Sequence, residues 1–226
     1  MDSITRALVL AAIAIFAPAD PVLEIGSLQV GEGESSDLRP FFRGRRFVGC
    51  DMMAGPGVDR IERLEALSFP DGWAGTVLCL NVFEHAWDFR GGAREIHRVT
   101  APGGFALVVA PFEFHIHSYP EDYWRFTPRA IERLLEPFDT VLYGWQGHPR
   151  TPRIVFGLGL KSTPPNPAEL AAAWKQKILD SWDESPSLKQ RFRAAVGGAL
   201  FGKRGFRMTN HWRDIAVQVS SKPPTM

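Results

Sequence analysis

Two short apolar runs, VLEIGS at Val22 to Ser27 and FVGCDMMAGPGVD at Phe47 to Asp59, each carry an acidic residue near glycines at their ends. A strand whose carboxyl end bears a carboxylate beside a tight glycine turn is how an open α/β sheet holds a nucleoside. Two such strands in succession point to a bound ligand that contains a ribose.

The rest of the chain alternates in the same sense. Apolar, β-rich runs are expected as strands at Pro21 to Ile25, Arg46 to Cys50, Val58 to Ile61, Thr76 to Val82 and Phe105 to Ala110, with helical patterns between them. That alternation is the signature of a parallel sheet with helices on both faces. A helix is expected from an Asp88 N-cap, with Ala93, Ile96 and Val99 at helical spacing, stopping before Pro102 and Gly103, which suit the centre of a type II turn. A second begins with Thr127 as N-cap and Pro128 at its first position and ends before Pro137. Thr140 to Trp145 and Arg153 to Leu160, separated by GHPRTP, read as an antiparallel hairpin at the sheet's edge. The expected fold class is α/β, a doubly wound, mostly parallel sheet with that hairpin and a C-terminal helical extension.

A length of 226 residues and 45% apolar composition suit one well-buried core with an appendage. A net charge of +1 means that any basic patch is local. Cys50 and Cys79 both fall in apolar strand-like runs, as buried thiols do, which fits a reducing, cytoplasmic compartment. ALVLAAIAIFAPAD from Ala7 has two readings: the outline of a signal peptide with an A-x-A site, or a buried first helix too short to span a bilayer.

Taken in order, the glycine turn after the first strand, the acidic end of the second, FPDG, NVFEH, a Pro-Gly-Gly turn and DYWRFTP resemble the class I S-adenosylmethionine-dependent methyltransferases of the methyltransferase type 11 kind, over roughly Val22 to Lys161. The resemblance implies an enzyme, S-adenosylmethionine as cofactor, and a Rossmann-like sheet. It puts Glu24, Gly26 and Ser27 beside the methionine part of the cofactor, with Asn81 and Val82, and gives Asp51 the ribose hydroxyls. Met52 and Leu64 join the same cofactor wall. A carboxylate accepts two hydroxyl bonds at once, and charge-assisted bonds are the stronger kind.

The departures are specific. Gly31 and Gly33 stand too far along for the usual glycine spacing, so the loop takes another path. Arg63 occupies the position where the family has an aspartate for the adenine amino group, with Glu62 and Glu65 as neighbours, which leaves Glu62 or backbone groups for that task.

FEFHIHSYPEDYWRF, from Phe112 to Phe126, is the densest polar and aromatic constellation. An extended segment points His115 and His117 the same way, alongside Tyr119, Asp122, Tyr123 and Trp124. These read as the wall of an acceptor pocket, with His115, His117 and then Glu84 as candidates for removing a proton from the acceptor. For Asp122 the alternative is an ion pair with Arg125 that holds the loop, and for Glu84 and His85 a cap or polar niche. A His-x-His pair without a third ligand at fixed spacing gives no metal site.

After Ser162 the Pro-rich STPPNP leads into Leu170, Trp174, Ile178 and Trp182 at helical spacing. Lys189, Arg191, Arg193, Lys203, Arg204, Arg207 and Arg213 follow with no acidic residue among them, interleaved with aromatics. The division is therefore 1–161 as the cofactor-binding domain and 162–226 as a separable extension that packs beside the acceptor mouth and leaves the crevice intact when removed. The expected partner is a small-molecule acceptor, with no membrane span. The alternatives are a methyltransferase acting on RNA or another anionic polymer through the basic segment, and an inactive binding module of the same fold.

Overall fold

A computed structural model of the chain describes residues 1–29, 37–117, 121–183, 187–189, 192, 195–196 and 211–222. The expected Tyr119, the glycines Gly31 and Gly33, and the basic residues Arg191, Arg193, Lys203, Arg204 and Arg207 lie outside them.

Eight strands form one sheet: β1 (Val22–Ile25), β2 (Phe47–Asp51), β3 (Arg60–Ile61), β4 (Ala74–Leu80), β5 (Thr100–Pro111), β6 (Thr140–His148), β7 (Thr151–Leu160) and β8 (Ile215–Ser221). Their spatial order is β3-β2-β1-β4-β5-β7-β6-β8. The first five are parallel, β7 runs antiparallel to β5, and β6 and β8 follow antiparallel in turn. The α/β sheet is thus mostly parallel with an antiparallel side, as expected. The β6–β7 hairpin does not end it, because β8 pairs outside β6, from Thr140 against Ser221 to Gln146 against Ile215.

The two faces are covered by the helices α1 (Ser3–Phe16), α2 (Phe89–Val99), α3 (Pro128–Leu134) and α4 (Pro167–Ser181). The caps read from the sequence are made. Asp88 accepts from Gly91 N at 2.8 Å and Thr127 from Ala130 N at 3.2 Å. Satisfying one otherwise orphaned N–H at each start defines where these helices begin. α1 starts on Asp2, which accepts from Thr5 N at 2.9 Å, and buries Ile4, Leu8, Ala11 and Ala12. Among the described residues no helix is long and apolar enough to cross a membrane.

On one face, Ile4 and Leu8 of α1 pack with Leu107, Phe156, Trp174, Ile178 and Trp182. On the other, Leu23, Ile25 and Cys79 pack with Ile96, Val99, Ile131 and Phe138. The first cluster takes in the helical stripe of the C-terminal segment. The α4 stripe does bury itself, but against α1 and the sheet, and Trp182 Nε1 donates to Ser3 Oγ at 3.1 Å. The segment after Lys161 supplies a sheet strand and about one wall of a core, so the two parts share a single interior.

Candidate active site

The chain leaves β1 toward β2 on one side, and β4 adds on the other, so the loops at their carboxyl ends diverge and leave a crevice. A cavity of about 440 Å³ lies there, lined by Glu24, Ile25, Gly26 and Leu28 at the end of β1, by Asp51 to Met53 at the end of β2, by Glu62 to Glu65, and by Leu80 to Val82 at the end of β4. This volume lies in the range of small-molecule sites.

Two backbone positions keep the crevice open. Gly26 has φ +81°, and a Cβ there would collide with the Val82 side chain, so the residue type that tolerates both demands is glycine. Asn81 takes φ +56° at the end of β4, where its N–H donates to Val109 O at 2.8 Å. Asp51 holds the adjoining loops: Oδ2 accepts from Leu28 N at 3.3 Å and Oδ1 from Met53 N at 3.0 Å. An ionised carboxylate has about four acceptor sites, so Asp51 retains about two for a ligand's hydroxyls. The other acid of that run, Asp59, has a structural task, since its Oδ2 accepts from Gly49 N and from Arg39.

Glu24, in the middle of β1, is buried, and burial pushes its carboxyl up to about 8, with Arg39 opposing the rise. Ser27 is buried against Gly49 and does not line the cavity. Met52 and Leu64 both line it. The Glu62 carboxyl already accepts from Ser68 N at 2.9 Å and Ser68 Oγ at 2.5 Å and pairs with Arg60, so its acceptor capacity is largely committed.

Opposite, the loop after β5 folds over the crevice. Tyr123 N donates to Glu84 O at 2.8 Å, which brings Tyr123 and His117 to the cavity wall. Asp122 does not line it. Its carboxylate is buried, gripped by Arg125 at 2.5 and 2.7 Å and by His117 N at 2.9 Å, and the guanidinium holds it well below the usual carboxylate range. The loop-bracing alternative read from the sequence is the geometry found. Trp124 also lies off the cavity, its Nε1 donating to Ala86 O at 3.0 Å and its ring packed on Trp87 and Phe89. His115 corrects the idea of two parallel imidazoles: it is exposed, stacked on Phe114 at 4.3 Å and tilted at 66° to the His117 ring 6.1 Å away, with its carbonyl accepting from Arg125 Nη2 at 3.1 Å.

His85 is the cavity residue that the sequence reading left as a polar niche, together with Trp87, and its adjacency to Glu84 in NVFEH was the available signal. His85 Nδ1 lies 2.5 Å from Glu121 O. A carbonyl only accepts, so Nδ1 carries a hydrogen, and the other ring nitrogen, Nε2, lies 3.8 Å from Glu84 Oε1. The His85 and His117 rings meet edge to face at 4.9 Å. His117 Nδ1 lies 3.0 Å from Asp122 Oδ2 but out of line for a hydrogen bond. Glu84 is 1% exposed, neither carboxyl oxygen has a hydrogen-bond partner among the described residues, and burial pushes the group up to about 8. One potential ligand atom from each of Glu84, His85 and His117 lies within 4.8 Å of the others, the one such trio among the described residues.

A family described as Methyltransferase domain matches residues 28–108. Among solved structures, the Burkholderia thailandensis 1,6-didemethyltoxoflavin-N1-methyltransferase with bound 1,6-didemethyltoxoflavin and S-adenosylhomocysteine is similar at a TM-score of 0.55 and 15% identity, covering 71% of this chain and 79% of that one. The CurJ carbon methyltransferase is similar at 0.54 and 10% identity, covering 72% of this chain and 56% of that one. No curated protein sequence matches the chain.

Proposed function

We propose that the chain, whose residues 28–108 match a family described as Methyltransferase domain, is a class I S-adenosylmethionine-dependent methyltransferase that transfers a methyl group to a small-molecule acceptor bound against His117 and Tyr123. One observation carries this reading: a single cavity joins the carboxyl ends of β1, β2 and β4 to that loop. The residues fit the cofactor. Gly26 leaves room that a Cβ would fill, and Asp51 has acceptor sites free toward the cavity. When bound, S-adenosylmethionine supplies a methyl group on a sulfonium centre that departs as a neutral thioether and needs no protonation.

The chain's task is then alignment. Asp51 holds the ribose, Asn81 and Val82 flank the methionine portion, and Met52 and Leu64 cover the base. His117 and Tyr123 seat the acceptor and exclude water, and holding two reactants in line is worth up to roughly 7–11 kcal/mol. An acceptor of small size is supported by the modest cavity and by the similar N1-methyltransferase, whose crystals hold a small molecule beside S-adenosylhomocysteine. Of the three candidates for removing a proton from the acceptor, His117 lines the cavity, whereas His115 lies on the solvent side and Glu84 is buried behind the cavity wall, which favours His117.

Calorimetric titration with S-adenosylmethionine and S-adenosylhomocysteine tests the reading. Both ligands are expected to bind once per chain and to compete. Absence of binding to either one refutes it.

A further inference from the structure

We propose that Glu84, His85 and His117 form a site for a divalent transition-metal ion at the loop end of the cavity, with coordination positions left open toward it. The ion site stands on the three side chains alone, whereas its place beside the acceptor rests on the methyl-transfer reading. The sequence reading set a metal aside for want of a third ligand. Folding supplies two, because NVFEH at the end of β4 lies under the loop that carries His117.

Three observations converge. Glu84 is a buried carboxyl with no hydrogen-bond partner on either oxygen among the described residues, a costly arrangement that the charge of Arg125, itself committed to Asp122, relieves only at a distance. His85 is fixed by its Nδ1 contact to Glu121 O, which directs Nε2 toward Glu84. His117 has a buried carboxylate, Asp122, beside its Nδ1, and that carboxylate is itself held by Arg125. A carbonyl behind the His85 imidazole is the arrangement that orients metal-binding histidines and raises their basicity, and Asp122 stands where a rotation of the His117 ring would give it the same support.

Two imidazoles and one carboxylate suit zinc, iron(II), cobalt(II) or manganese(II) rather than magnesium or calcium. A tetrahedral ion with bonds of about 2.0–2.1 Å holds its ligand atoms about 3.3 Å apart. The present spread of up to 4.8 Å therefore closes by about 1.5 Å on binding, and His117, on a partly exposed loop, is the side chain with room to move. His85 and His117 both line the cavity, so the open positions face an acceptor's oxygen or nitrogen.

The test uses the full chain, stripped with a chelator and titrated with Co²⁺, with far-UV circular dichroism to establish folding. One Co²⁺ per chain is expected, with the strong visible absorption of four- or five-coordinate cobalt, displaced by Zn²⁺. His85→Ala, His117→Ala and Glu84→Gln should each weaken binding by about 10-fold to 100-fold, and His115→Ala should leave it unchanged. Binding that survives His117→Ala, or that is lost in His115→Ala, overturns the site. So does cobalt with only the weak spectrum of a hydrated surface ion, which decides the matter even where a variant fails to fold. S-adenosylmethionine titrated into the metal-free chain is read separately: if the cofactor binds but the cobalt titration shows no site, the metal site alone is refuted, and if cobalt binds at the site but the cofactor does not, the methyl-transfer reading alone is refuted.

Discussion

Leu28 donates its backbone N–H to Asp51 Oδ2 at 3.3 Å, which ties the loop after β1 to the carboxyl end of β2. The same carboxylate that shapes the crevice is therefore the one proposed to hold the ribose. Asp51→Ala is expected to weaken S-adenosylmethionine binding by about 1–3 kcal/mol, the scale of lost hydrogen bonds to a charged group. Asp51→Asn should also weaken it, because one amide nitrogen must face a backbone donor, Leu28 N or Met53 N. Calorimetry on both variants measures this, and unchanged affinity in Asp51→Ala removes the residue from the site.

Gly26→Ala meets two separate penalties, the left-handed φ of +81° and the Val82 side chain. The backbone part costs about 1–2 kcal/mol, and the steric part adds to it. In the double variant with Val82→Ala, the steric part should be recovered and the backbone part should remain. Urea denaturation of the two singles and the double gives the coupling directly, and strict additivity would show that the contact with Val82 carries no energy.

Burial raises the Glu24 carboxyl to about 8 from its usual value of 4.5. Between those two values the folded chain holds a proton at Glu24 that the unfolded chain has released, so the contribution of this group to stability is greatest below pH 4.5, falls as pH rises through the window, and levels off above 8. The slope is at most about 1.4 kcal/mol per pH unit. Glu84 contributes with the same sign, so Glu24→Gln should lower the slope rather than abolish it. Denaturation midpoints at several pH values in the presence of a chelator test this; an unaltered slope in Glu24→Gln would mean that the group is ionised in the folded chain.

Trp174 is fully buried, edge-on to Phe16 and Phe156 at 5.8 and 5.6 Å. Trp174→Ala is expected to cost about 3–5 kcal/mol, as large aromatic truncations in a core do. Ending the chain after Lys161 should be worse, since it uncovers α1 and leaves β6 as an unpaired edge. Circular dichroism and thermal melting read both. A truncated chain that melts cooperatively near the parent temperature would restore the extension as a separate unit.

What the sequence determined by itself was local. The strands, the Asp88 and Thr127 caps and the acidic strand ends follow from alternation, side-chain hydrogen bonding and chain direction, all of which act within a few residues. From these the parallel half of the sheet and the crevice at its carboxyl rim could be read. Glu24, Asp51, Met52, Leu64, Asn81 and Val82 reach the cavity because each sits at or beside a strand's carboxyl end. Tertiary structure decided the rest, because those choices depend on pairings far apart in sequence. Whether His115 or His117 turned inward was set by Asp122 and Arg125 gripping the loop, and by Glu84 O receiving Tyr123 N across the crevice. Whether α4 and β8 stood apart was set by α1 and β6, whose apolar face and open edge no reading of the C-terminal segment alone contains. The meeting of Glu84, His85 and His117 has the same origin: two segments, each polar for no evident local reason, acquire a shared chemistry only when the sheet brings their ends together.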